Sequence, residues 1–468
     1  VLLLAAAAVA WAAAFVWLGA LRHTRFATFG FDLGIYDQAA WLLAHGHLDG
    51  MITVRGLRVF GHHVNPVLFA YAPAYRLGAG VEVLLVTQVV AQAAAALVCF
   101  AIGVERLGDR WLALGPALAL LANPTWQWLT WEFFHPEVLA GTALLGAWWA
   151  ALRRRWWWFA AAVVLAVACR EDVALVTAVL GLVVAGRGER RVGLATAAAS
   201  LGWYLVATRV ILVWGNGTGP FYEAYFADLG DGPGAVLRTA LTRPWEPLGL
   251  AIRPDRLAYL GRMLGPFAFL PLAGPVGLAL AAPALAVNLL SSFPYTRELT
   301  YHYQALVVPA LAIGAVEAVA RLGRRGRPVA AVAALVLLAA AVATSLAWGP
   351  SPLGTRFRTG IWPLDADPRQ PARERAVRLV PPAAPVSATY TFVPHLTHRR
   401  AVYEFPNPWR TVNWGVRGEG AHDPRTVRWL VADRSTVGPG DRAQLERLLA
   451  GPFRVVQDRD GIVVARRR

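Results

Sequence analysis

The carboxylates, histidines and tyrosines of this chain gather in the gaps between apolar segments. The first gap is the densest: Phe31-Asp32-Leu33-Gly34-Ile35-Tyr36-Asp37-Gln38, followed by His62-His63-Val64-Asn65-Pro66. At a membrane surface an ionised Asp32 or Asp37 can take a proton from an acceptor hydroxyl or ligate a divalent cation. Asp37 can equally favour the dipole of a helix starting near Tyr36, and both can simply solvate a loop. His62 and His63 are adjacent, so their side chains diverge and do not share one metal. One can meet a phosphate oxygen while the other packs, or both can mark a helix entry with Pro66 in its first turn.

Three later gaps carry similar chemistry. Trp131-Glu132-Phe133-Phe134-His135-Pro136-Glu137 sets Glu132, His135 and Glu137 among aromatics. That mixture suits a sugar, whose apolar ring face stacks while its hydroxyls donate to carboxylates; an interfacial aromatic belt is the competing reading. Arg170-Glu171-Asp172 sits between two apolar segments with almost no loop. Ionisable groups at such depth are costly and point to function, so Arg170 is a candidate for a lipid phosphate, against a self-neutralising turn. Tyr295-Thr296-Arg297-Glu298-Leu299-Thr300-Tyr301-His302-Tyr303 offers Arg297, His302 and three phenols, or a hydrated loop with a tyrosine belt.

The elements that must position these residues are membrane spans. Of 468 residues 57% are hydrophobic and only 16% charged, against about a quarter charged in soluble domains. Apolar stretches near the roughly 20 residues needed to cross a bilayer recur along the chain. They lie at 1–21, 82–104, 111–129, 138–152, 156–169, 173–186, 192–214, 303–320 and 328–348, with two short spans in the proline-broken 262–290, about 11 in all. The run 1–21 lacks a basic start and a cleavage site, and is read as the first span rather than a signal peptide.

The net charge of +16 is carried by arginine alone, since the sequence has no lysine. That excludes Schiff-base lysine chemistry and a phosphate-loop lysine. Twelve of the arginines, at 106, 110, 153–155, 187, 190, 191, 321, 324, 325 and 327, fall in one alternate set of short loops. They mark the cytoplasmic side rather than a nucleic-acid surface, so no nucleic-acid partner is expected. Loops 22–80, 123–137, 170–172, 215–261 and 291–302 then lie outside, with the C-terminal region. Cys99 and Cys169 sit in apolar segments and form neither a metal motif nor a disulfide framework. No nucleotide-binding glycine pattern or nucleophile elbow is present, which disfavours an ATP-driven pump.

The fold class expected is mainly α: a polytopic transmembrane bundle over 1–348 with outer loops 22–80 and 215–261, a linker at 349–374, and a small extracytoplasmic α/β domain at 375–468. Tyr36–Ala44 and 66–77 read as two short surface helices, the second packed by Leu68, Phe69 and Tyr71. In the last domain Val386–Tyr390 and Arg428–Ala432 suit buried strands, and Asp441–Leu449 suits a helix. Phe453–Gln457 and Ile462–Ala465 suit a hairpin around Asp460-Gly461.

Phe31–Gln38, Gly61–Pro66, Phe134–Val138, Glu171–Leu175, Phe293–Tyr303 and Val393–Arg400 resemble the prokaryotic membrane-protein family known as domain of unknown function 2079. The layout is similar to the GT-C glycosyltransferases, which use polyprenyl-phosphate sugars. The resemblance implies that Asp32 takes the place of their first-loop acidic residue, Tyr36 that of the tyrosine opening the surface helix, and His62 or His63 that of a basic residue before the second helix. Position 33 is Leu where those enzymes carry a second acid, which leaves a divalent cation (magnesium or manganese) open. The activity implied is transfer of a sugar from a polyprenyl-phosphate donor to a glycan or lipid acceptor at the cell membrane. Asp32 and Asp37 are the catalytic candidates. Tyr36, His62, His63, Glu132, His135, Glu137, Arg170, Glu171, Asp172, Arg297 and His302 are the substrate-binding candidates. The alternatives are a transporter or lipid-handling protein without catalysis, and a scaffold whose outer domain binds a partner.

Overall fold

The structure, a computed structural model, describes residues 2–412 and 418–468. Val1, the first residue of the first expected span, lies outside the described residues. Among the described residues five helices are long and apolar enough to cross a membrane: Leu2–Thr24, Glu82–Leu107, Arg190–Asn216, His302–Gly323 and Arg327–Trp348. Four shorter apolar helices accompany them: Arg110–Ala122, Trp156–Val167, Val173–Gly186 and Pro275–Leu290. Leu3, Val9, Trp157, Leu194 and Leu335 are all well exposed. Water penalises such a surface and lipid tails accept it. The expected class, a mainly helical membrane bundle with a small C-terminal sheet, is the one observed.

The chain separates into two compact units, 1–17 with 87–208 and 220–361, and 18–86 with 209–219 and 362–468. In the first unit, glycines let helix backbones meet. A Cβ added at Gly277 would lie 2.3 Å from Gly314 Cα, so Pro275–Leu290 crosses Val307–Gly323 main chain against main chain. Gly181 and Gly193 do the same for Val173–Gly186 and Arg190–Val206. Without a hydrophobic force between helices in lipid, such close packing is a main source of cohesion.

Two segments depart from the expected spans. The stretch 111–129 is two helices, Arg110–Ala122 and Pro124–Trp131. Pro124 disfavours helical geometry at Asn123 (ψ 119°), whose side chain then accepts from Trp126 N–H and caps the second helix. Within 262–290 only Pro275–Leu290 is a sustained α-helix. Gly265–Phe267 and Leu270–Ala273 are 3-10 turns separated by Ala268 and Phe269 at φ 51° and 57°, because Pro266 and Pro271 interrupt the backbone ladder.

The second unit holds the helix Ile35–Ala44, the 3-10 turn Pro66–Tyr71 running into Ala72–Arg76, and a two-stranded ribbon of β1 (Met51–Ile52) and β2 (Leu57–Arg58). The tight turn repeats every three residues, so Leu68 and Tyr71 are buried while Phe69, expected to pack, points outward. A five-stranded sheet follows, built from β3 (Val386–Ala388), β4 (Val402–Glu404), β5 (Trp429–Asp433), β6 (Phe453–Arg459) and β7 (Ile462–Arg467). Its order is β4-β3-β5-β7-β6, with β3 parallel to β4 and β5, and β7 antiparallel to β5 and β6. Asp460 and Gly461 both take positive φ, as a two-residue hairpin between right-twisted strands requires. The helix Pro439–Ala450 lies where Asp441–Leu449 was expected; Leu445 and Leu448 pack with Leu430, Phe453 and Ala465.

Candidate functional site

The first unit concentrates Glu132, His135, Glu137, Arg170, Glu171, Asp172 and His302. Glu132 ends the helix Pro124–Trp131, Phe133 turns the chain at φ 84°, and His135 precedes the helix Pro136–Leu152 with Pro136 in its first turn. Gln88 pins this turn: its amide donates to the Leu129 and Phe133 carbonyls at 2.7 and 2.6 Å and its oxygen accepts from His135 N–H at 2.7 Å. Glu137 follows in the first helical turn. One turn later stands Gly141, where an added Cβ would lie 2.5 Å from the Ala305 carbonyl. This close approach brings His302, one turn before Ala305, beside the two glutamates.

His302 Nδ1 is 2.9 Å from Glu132 Oε1 and its Nε2 is 3.7 Å from Glu137 Oε1. The His135 and His302 rings stack at 4.0 Å and 15°. Arg170 bridges the other side. Its Nε and Nη2 each reach an Asp172 oxygen at 2.6 Å, and Nη1 bonds to Glu137 Oε1. Burial opposes the charge on Arg170, but the carboxylates of Asp172, Glu137 and Glu171 outweigh it and hold the pKa well above the ordinary value. Arg170 is therefore a permanent cation. Burial, then Glu171 and Asp172, push the Tyr222 phenol well above its usual range, so it stays neutral. Glu137, Arg170, Asp172, Asn288 and His302 line a small cavity of about 30 Å³ whose remaining wall is largely apolar, with Val287 and Leu306 among its residues.

Arg297 lies outside this ionic group. Its guanidinium is 3.4 Å from Asp255 and donates to the Asn288 and Ser291 carbonyls. Asn288 links it to the pocket, and Tyr259, Asn288 and Gln304 are joined by bonds of 2.6 to 3.2 Å that fix the 291–302 loop. Glu132, His135 and His302 each offer one ligand atom, and the three atoms lie within 4.8 Å of one another.

The second unit holds the first-loop residues. Asp32 is half-buried at φ 64°, ψ −82°, a conformation costly for a residue with a Cβ. Tyr36 is buried on the helix Ile35–Ala44. Asp37 is buried too, and its carboxylate accepts from Tyr75 OH at 2.5 Å and from Thr397 Oγ1, with His398 Nε2 at 3.3 Å. Burial would lower the His398 pKa, and the Asp37 carboxylate more than offsets this to raise it. His62 and His63 stack obliquely at 4.5 Å, and His62 meets the edge of Phe31. Glu404, on β4, lies against the loop that presents Asp32. It accepts from Phe31 N–H, and burial, with Asp32 adding, pushes its carboxyl up to about 7.

Tyr75, Thr397, His398 and Glu404 were not singled out from the sequence. Thr397 and His398 lie in the stretch Val393–Arg400 that resembles the family, which was the available signal.

The sequence profile described as "Predicted membrane protein (DUF2079)" matches residues 22–464. No curated protein sequence matches the chain. The fold is similar to a crystal structure of ArnT from Cupriavidus metallidurans bound to undecaprenyl phosphate, with TM-score 0.52 and 15% identity over 99% of this chain and 97% of that one. The apo state of the same protein gives TM-score 0.51 and 16% identity over 98% of each chain. The chain thus shares its overall fold with ArnT. With the profile spanning nearly its whole length, the chain belongs to the DUF2079 family of predicted membrane proteins.

Proposed function

We propose that this protein transfers a sugar from a polyprenyl-phosphate donor to a glycan or lipid acceptor on the extracytoplasmic side of the cell membrane. The Arg170 centre carries the proposal: a permanently charged guanidinium and the His302 imidazole line a pocket whose remaining wall is largely apolar. A cation beside an apolar wall suits a phosphate carried on a hydrocarbon chain. The GT-C architecture supports this, since its neighbour ArnT was crystallised with undecaprenyl phosphate.

In this reading an acceptor hydroxyl attacks the anomeric carbon with inversion. Its proton passes to Asp32, the role that the sequence resemblance assigns, and the bond from that carbon to the phosphate oxygen breaks. The lipid phosphate leaves with the electron pair. Arg170 or Arg297 stabilises that charge, with His302 as a further donor. Glu132 and Glu137 accept from sugar hydroxyls, Asp37 orders the loop around Asp32, and the C-terminal region helps bind the acceptor.

The test is transfer of radiolabelled sugar from polyprenyl-phosphate donors by purified protein. Asp32→Ala should remove transfer while the protein elutes as a folded species. Full activity in that variant would remove Asp32 from the mechanism. Substrate accumulation in proteoliposomes with no covalent product would instead favour a transporter.

A further inference from the structure

We infer that Glu132, His135 and His302 form a binding site for a divalent transition metal of the zinc class. Each side chain presents one ligand atom, all within 4.8 Å, and the site is largely closed to solvent. Two imidazoles and one carboxylate are a set that zinc accepts readily, with a position left for an exogenous oxygen. Magnesium prefers an all-oxygen shell and keeps its waters, so these ligands select against it.

The His135 and His302 rings lie nearly parallel with centroids 4.0 Å apart, which brings both imidazoles to one side of Glu132. His302 also faces a carboxylate on each side, Glu132 near Nδ1 and Glu137 near Nε2.

The ligands also sit on constrained main chain. Glu132 and His135 are three residues apart around the turn that Gln88 pins, and His302 leads into the helix Val307–Gly323. A bound metal would polarise a substrate oxygen placed at its open position. That role rests on the proposed transferase reading; metal binding does not.

The decisive measurement is zinc titration of full-length, chelator-stripped protein in detergent, by calorimetry, with no sugar donor present. One zinc per chain is expected. Glu132→Gln, nearly isosteric, and His135→Ala should each weaken binding by about tenfold or more, while the exposed His45→Ala leaves it unchanged. X-ray absorption of the zinc-loaded protein should show two imidazoles in the shell. Equal zinc affinity in the wild type and in Glu132→Gln of unchanged elution volume would overturn the assignment. So would displacement of zinc by an equal concentration of magnesium. If zinc binds and no donor is turned over, the metal site stands and the transferase reading fails.

Discussion

Each unit holds a buried carboxylate centre, and the two are stabilised differently. Around Arg170 the carboxylates of Glu137 and Asp172 meet a guanidinium, so charge meets opposite charge. Around Asp37 and Glu404 they meet hydroxyls, a main-chain N–H and one histidine. The first arrangement leaves a fixed cation beside a pocket. The second holds neutral donors around Asp37 and lifts one acid into the physiological range. The same residue types thus give an ionic centre in one unit and a proton-sensitive centre in the other.

The largest expected effect is on the ionic centre. Arg170→Met strands Glu137 and Asp172 without their guanidinium, and should cost about 3–5 kcal/mol in thermal unfolding in detergent. Arg170→Lys should recover little of this, because an ammonium cannot reproduce the two-pronged contact with Asp172. Full recovery by lysine would mean that charge alone matters there.

The next effect separates the units by pH. The Glu404 carboxyl binds its proton more tightly when folded, so it lowers stability as pH rises from its ordinary value near 4.5 toward 7. The change is at most about 3 kcal/mol. Glu404→Gln should flatten that slope in unfolding measured from pH 4 to 8, while the Arg170 variants leave it in place. His398 has a dependence of the same sign: its raised pKa adds stability that is fully present below about 6.5 and lost as pH climbs through the folded value.

Gly141→Val tests the scaffold of the ionic centre. The new side chain meets the Ala305 carbonyl and should cost about 1–3 kcal/mol, with weakened zinc binding as helix and loop part. A similar effect is expected of Tyr75→Phe, which removes a donor to Asp37 and should cost about 1.5–3 kcal/mol. If Asp37 only solvated a loop, this substitution would leave the unfolding midpoint unchanged.

Much of this was readable from pattern. The Ile35–Ala44 helix, the Asp460-Gly461 hairpin and the residues of the Arg170 centre stand out because local spacing determines them. The partnership of Asp37 with Tyr75, Thr397 and His398 does not, since Thr397 is 360 residues away along the chain. Strand β4, which carries Glu404, is three residues long and too short to show alternation. Gln88 and Asn288 read as stray polar residues in apolar segments until their partners across the fold are known. The merged span at 111–129 reflects the reverse error: hydropathy continues smoothly through Asn123-Pro124, where the backbone does not.

The contact between Gly141 and Ala305 sets a limit on how the cavity beside Arg170 can change its shape. One wall of the pocket is held in place by main chain, which no change of rotamer can move. Variation in the shape of the cavity must come from lining side chains such as Val287 and Leu306. Relatives with different ligands should therefore keep the glycine and differ at those two positions.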